Sequence, residues 1–475
     1  MQQPNAPEAN RGLVTLNPRF WVVVLLTGVG AGFAGGALTL LLYLVQHTAF
    51  GYTEETFLLG VEQAPWWRRL LVLGLAGLVA GLGWWLLRGP VSTWLGRSSG
   101  VSESVWSDRG RMGFARTALD AILQIVIVGM GASLGREGAP REIAAALGSR
   151  LSELTGLSSA QQRTIIACGA GAGLAAVYDV PFGGALFTLE VLLGSLALPL
   201  VIPAVVTSVL AAVCAWVVIG DRPVYLFAPL PTSGSVILFA VLVAPVAALA
   251  AVGFVHLVAW ARRGRPTAWR LPLATVGVFT ALGALAVPFP ELLGNGKGPV
   301  QLVLDGGGSL GLLAVLFVLK PLVTAASLRS GATGGLFTPT LATGALLGAA
   351  LGHLWVHVWA GSPLGAYALV GGAAFLAASL QAPLSTVVLV LELTHVGQGM
   401  LVPIALAAVL ATLVARLIEP RSTYTAGLGA SAVGPPDPID PVPLPPGWSG
   451  SPGDADAAGS PTHGAVAGRR ARSVR

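Results

Sequence analysis

The chain has 475 residues, of which 54% are apolar and 10% charged, with a net charge of +6. That balance excludes an ordinary soluble domain and reads as a polytopic helical membrane protein. The basic excess is spread over loops and tails, which excludes a nucleic-acid footprint. Cys168 and Cys214 both fall in apolar runs, where they read as small core residues and not as a disulfide or metal pair.

In chain order, residues 1–19 are polar and read as a cytoplasmic N-terminus. The apolar run from Phe20 to Phe50 is longer than a signal-peptide core and reads as an uncleaved first span. Further apolar segments fall near 70–88, 117–132, 143–151, 164–177, 182–219, 235–261, 272–288, 310–327, 338–359, 366–380 and 384–418. A helical span takes about 20 residues, so several of these are too short to cross alone. Short segments bounded by Gly or Pro suggest half-helices that meet at mid-depth. Between the first two spans, Glu54, Glu55 and Glu62 precede the first basic residue, Arg68, whereas the next loop carries Arg88, Arg97, Arg109, Arg111 and Arg116. Basic residues also mark both ends of the chain: Arg11 and Arg19, then Arg469, Arg470, Arg472 and Arg475. The positive-inside rule places both termini and the 88–116 loop in the cytoplasm, with the terminal arginines as a topology signal or a contact for lipid headgroups. Residues 429–475 are rich in Pro, Gly, Ala, Ser and Asp. They are expected to form a disordered cytoplasmic tail, with no soluble regulatory domain.

One stretch is out of place in a membrane. Residues 133–142 read Ser-Leu-Gly-Arg-Glu-Gly-Ala-Pro-Arg-Glu, between two apolar patterns. Each of Arg136, Glu137, Arg141 and Glu142 costs about 3 kcal/mol at a helix centre, so the cluster marks a functional site. Gly135 and Gly138 flank Glu137 and break the helix. Irregular backbone at that depth requires burial in protein or a watery cavity. The helix that starts after the break points its amides at that cavity, which makes an anion site.

The chain also repeats. With Pro181 and Pro383 in register, Gly169, Ala172, Leu174, Ala175, Ala176 and Glu190 match Gly371, Ala374, Leu376, Ala377, Ala378 and Glu392. At nearly the same offset, Gly135-Arg136-Glu137-Gly138 faces Gly335-Leu336-Phe337-Thr338. Broken segments at corresponding positions of two halves point to a midplane binding site. The reading is therefore an all-α polytopic membrane protein of two inverted-topology repeats, about 20–219 and 235–418, whose broken helices meet at mid-membrane. Residues 419–428 close a membrane domain that spans 20–428.

Four stretches look interrupted in this way: Ser98-Ser99-Gly100-Val101-Ser102, Gly135 to Gly138, Gly334 to Pro339, and Ser422-Thr423-Tyr424. Each offers hydroxyls or glycine-freed amides, and no basic side chain is required. Dipoles and hydroxyls bind an anion weakly enough to release it. On these four motifs, in order and with the repeat, the chain resembles the CLC family of chloride channels and chloride/proton antiporters over about residues 20–428.

The resemblance implies a role for each motif. Ser99 takes the place of a serine whose hydroxyl binds the central chloride, although Ser102 stands where the family has proline. Glu137 resembles the gating glutamate, and Gly135, Arg136 and Gly138 provide pore-lining backbone. In Gly334 to Pro339, the amides of Leu336 and Phe337 are expected to face the ion, with Gly335 and Thr338 lining the pore and the Phe337 ring as a hydrophobic gate. Tyr424 stands where the family's pore tyrosine donates its hydroxyl. Antiporters of the family often carry a Glu-Glu pair whose second member relays protons. Here the pair is Glu190-Val191, which leaves Glu190 as a possible proton relay and leans toward a channel over a chloride/proton antiporter. Glu190 and Glu392 also read as helix-end or subunit-contact groups.

Fluoride transport is the less favoured substrate reading, because Ser99 occupies a position typically methionine in the fluoride branch. The resemblance further implies a plasma (inner) membrane protein and a homodimer with one pathway per subunit, with candidate contact helices near 185–215 and 384–415. Chloride is the transported ion and no cofactor is implied. No partnered nucleophile set suggests an enzyme. Lys320 reads as a structural lysine that reaches a carbonyl or the interface. His353 and His357, four residues apart beside Trp355 and Trp359, read as an interfacial girdle and not as a metal site.

Overall fold

The computed structural model describes residues 17–53, 56–95, 99–106, 112–221, 223–359 and 361–426. Most of the polar N-terminus, the arginines at 97, 109 and 111, and the tail expected at 429–475 lie outside the described residues. Within them the chain is helical, apart from one isolated bridge between Gly135 and Gly335.

The first half comprises α1 (Pro18–Phe50), α2 (Phe57–Gln63), α3 (Trp66–Arg88), α4 (Ser92–Leu95), α5 (Val101–Trp106), α6 (Phe114–Gly129), α7 (Gly138–Thr155), α8 (Ser159–Tyr178), α9 (Pro181–Leu186) and α10 (Leu198–Ile219). The second half comprises α11 (Gly234–Arg263), α12 (Arg270–Leu285), α13 (Lys297–Leu304), α14 (Leu310–Arg329), α15 (Phe337–Trp355), α16 (Leu364–Leu380), α17 (Pro383–Thr394) and α18 (Leu401–Ile418). Among the described residues, six helices are long and apolar enough to cross a membrane: α1, α3, α10, α11, α14 and α18. The outer faces of these helices leave Leu71, Val217, Leu249 and Leu417 exposed, as a lipid-facing surface requires.

The halves correspond element by element around the site. α7 and α15 are the helices that start just after the bridge. α8 and α16 both end in a residue with left-handed backbone, Asp179 (φ 54°) and Gln381 (φ 60°), and a proline then opens the next helix in each half. These helices pack on backbone: an added Cβ at Gly173 of α8 would fall 2.2 Å from Pro140 O of α7, and one at Gly371 of α16 would fall 2.4 Å from Gly348 Cα of α15. Such close approach is what small residues permit between helices in a membrane.

Two apolar segments read as continuous are broken. Residues 182–219 divide into α9, a π-helical turn at Phe187–Leu193, and α10. Residues 384–418 divide into α17 and α18. The breaks fall at Gly194 (φ 62°) and His395 (φ 47°), which take left-handed backbone and end a helix without interrupting the apolar composition.

Candidate functional site

The site is built where the halves cross. Gly135 N–H donates to Gly335 O at 2.8 Å, and Gly335 N–H donates to Gly135 O at 2.9 Å. A Cβ at either glycine would come 2.1 Å from Glu137 Oε1, so only glycine leaves room for the carboxylate there. Glu137 is the N-cap residue of α7, yet its side chain makes no capping bond to that helix. It crosses instead to the start of α15 in the other half. Phe337 N–H donates to Oε1 at 2.6 Å, and the hydroxyls of Tyr178 and Thr338 donate to Oε2 at 2.9 and 3.2 Å. Those two hydroxyls lie 2.5 Å from each other.

Glu137 is fully buried. Neither Arg136 nor Arg141 forms an ion pair with it among the described residues. Arg136 instead donates to Val177 O at 3.0 Å and lies over the Tyr178 ring, 4.9 Å from its centroid. The carboxylate is therefore held by one amide, two hydroxyls and the positive end of α15. Those donors are complementary to any small anion, and the carboxylate occupies the place one would take. Leu336, with φ −121°, turns the chain into α15 and is buried, as is the Phe337 ring beside Tyr178.

The other expected residues sit apart from this point. Tyr424 lies against Arg141 and Phe187: the Tyr424 hydroxyl oxygen accepts from Arg141 Nη1 at 2.5 Å, and its ring meets Phe187 edge-on. Ser99 lines a cavity of about 760 Å³ shared with Arg88, Arg116, Asp120, Glu142, Arg265 and Thr333. No hydrogen bond among the described residues joins Ser99 to Tyr424 or to Glu137.

Glu190 and Glu392 form a reciprocal clasp. Glu190 accepts from the amides of Leu384 (3.2 Å) and Ser385 (2.6 Å) and from the Ser385 hydroxyl (2.6 Å), at the start of α17. Glu392 accepts from the amides of Phe182 (3.0 Å) and Gly183 (2.7 Å), at the start of α9. Each carboxylate caps the proline-led helix of the opposite half. Lys320 is fully buried and donates to the carbonyls of Leu292 and Gly294, both at 3.0 Å.

Sequence reasoning missed two groups at this crossing. Tyr178 was legible only as a polar residue closing an otherwise apolar helix. Thr338 was expected to contribute backbone, and it contributes its hydroxyl. Arg141 was legible as a charge at membrane depth, but not as the partner of Tyr424.

The family profile described as voltage gated chloride channel matches residues 82–416. This chain belongs to the CLC family. A ClcB-like protein of Ralstonia nicotianae is 33% identical over 382 residues, 77% of this chain and 86% of that protein. An H(+)/Cl(−) exchange transporter, ClcA, of Cronobacter sakazakii is 29% identical over 416 residues, 84% of this chain and 87% of that one. The solved structure of a slow cyanobacterial Cl−/H+ antiporter shares the fold at a TM-score of 0.74 and 20% identity, covering 86% of this chain and 97% of the other. As a CLC member with these apolar helices, the chain is a multi-pass integral membrane protein.

Proposed function

We propose that this CLC protein moves chloride across the membrane along a path gated by Glu137. The single observation that carries this reading is the carboxylate seated on the Phe337 amide at the start of α15, between the two bridging glycines. Ionised, Glu137 fills an anion site; protonated or displaced, it vacates donors that a chloride accepts. Phe337, Leu336 and Tyr424 supply chloride contacts, Ser99 guards the cavity at one mouth, and Gly135, Arg136, Gly138, Gly335 and Thr338 form the wall. The protein is not a catalyst and takes no cofactor.

We assign the uncoupled, channel-type reading first. Val191 stands where a second acid would relay protons, and the Glu190 carboxylate is committed to three donors at the start of α17. Proton-coupled exchange is the second reading, favoured by the exchange transporter among the relatives and by the hydroxyls of Tyr178 and Thr338 on Glu137. The protein resides in the plasma (inner) membrane with both termini cytoplasmic, as a homodimer. The exposed Phe182, Leu198, Ile202, Leu384, Val409 and Leu413 offer the contact face.

The experiment is simultaneous chloride efflux and internal pH in liposomes that carry the purified protein, at clamped potential. Chloride flux with no proton movement is expected. Uphill proton movement driven by a chloride gradient would establish exchange, and the absence of any anion flux would end the reading.

A further inference from the structure

The Arg141 side chain makes no hydrogen bond or ion pair to Glu137 among the described residues. It closes the first turn of α7 and is only 8% exposed. Its guanidinium carbon lies 4.9 Å from the Tyr424 ring centroid and 5.1 Å from that of Phe187. Nη1 donates to the Tyr424 hydroxyl oxygen, and Nε is buried without a partner. No carboxylate among the described residues pairs with this charge. The adjacent Glu142 accepts instead from Gln124 Nε2 at 3.0 Å. A second guanidinium, that of Arg262, donates to Thr423 O at 2.5 Å and lies within electrostatic reach of both Tyr424 and Arg141.

A buried charge without a salt bridge is costly, and here two guanidinium groups approach one tyrosine, while the Glu142 carboxylate lies within electrostatic reach of Arg141 but spends its hydrogen bond on Gln124. A tyrosine hydroxyl that accepts from arginine keeps its own proton to donate. That O–H and the orphaned Nε–H are donors in want of an acceptor. We propose that Arg141 is a fixed cationic ligand of the anion site at Tyr424, so that the transported ion meets a full positive charge there and not dipoles alone. The inference rests on the functional reading above, which places Tyr424 on the anion path. A full charge binds more tightly and releases more slowly than hydroxyls and amides.

The test is calorimetric titration of chloride into the purified protein in detergent, prepared in isethionate so that the site starts free of chloride. Arg141→Met keeps an unbranched side chain between the two rings and removes the charge. Its chloride affinity is expected to fall at least tenfold, about 1.4 kcal/mol, while Arg141→Lys stays above the Met variant. A smaller loss in Arg141→Met overturns the assignment while wild-type binding leaves the functional reading standing. If the Met variant does not fold, Arg141→Gln, which keeps a donor for Tyr424 without charge, carries the same comparison. A wild type that binds no chloride removes both the functional reading and this inference.

Discussion

Two sets of carboxylates cross between the halves of this molecule, and they treat its internal symmetry differently. Glu190 and Glu392 occupy matched positions and cap each other's partner helix, α17 and α9, in the same way. At the bridge the backbones match as well, Gly135 against Gly335, but the side chains that follow do not. Glu137 projects from one half, and its counterpart by offset, Phe337, offers only an amide and a ring. The symmetric pair has the form of a structural clasp. The asymmetric crossing puts one carboxylate against the start of one helix of the other half. Duplication supplies the frame, and departure from it supplies the carboxylate that we propose as the gate.

Breaking the crossing should have the largest effect. Gly335→Ala places a methyl where the Glu137 carboxylate sits and should cost about 3 kcal/mol of stability. Most of that should return in the double variant with Glu137→Ala, because the clash partner is gone. Thermal unfolding of the two single variants and the double variant checks this; a purely additive cycle would contradict the placement of the carboxylate.

Breaking the clasp should matter less and should do so evenly. Glu190→Gln and Glu392→Gln each replace a charge-assisted cap by a neutral one and should each cost about 2 kcal/mol. Neither should alter the pH profile of chloride flux. A changed profile in Glu190→Gln alone would make it a proton relay and break the symmetry argument.

Tyr178→Phe removes one of three donors from Glu137, worth about 1 kcal/mol. Since that donor stabilises the ionised carboxylate, the flux profile should move to higher pH. A move to lower pH would show that Tyr178 stabilises the open gate.

The smallest effect is expected beyond α18. Hydrogen bonds from Arg421, aided by His256, hold the Glu419 carboxyl down at about 2. A carboxyl lowered on folding stabilises the fold above its ordinary range, and that share is lost only as pH falls toward about 2. It is therefore fully present at neutral pH. Glu419→Gln should loosen the segment that carries Tyr424 and weaken chloride binding by less than about threefold at neutral pH. Calorimetry against wild type decides it; a wild-type affinity would show that Glu419 does not hold Tyr424 in place.

The parts of this arrangement that follow from backbone were legible in the sequence. Glycines around a charge announce a broken helix, and proline and glutamate at one offset announce a repeat. The contacts that depend on how two distant segments pack were not. Nothing local to Tyr178 says that it reaches Glu137, 41 residues away, and nothing local to Arg141 says that it meets Tyr424, 283 residues away. The breaks at Gly194 and His395 were hidden for a related reason: a residue with left-handed backbone ends a helix without changing the apolar composition that marks a span.

The central claim is that the ionised Glu137 carboxylate occupies an anion site and that its departure opens the path. The most direct measurement is chloride flux through Glu137→Gln in liposomes across the pH range where the wild type responds. Glutamine has nearly the shape of the carboxyl but cannot ionise, so flux should remain at the level the wild type reaches at low pH and become nearly independent of pH. A Glu137→Gln protein whose flux still follows pH as the wild type does would show that the gate lies elsewhere.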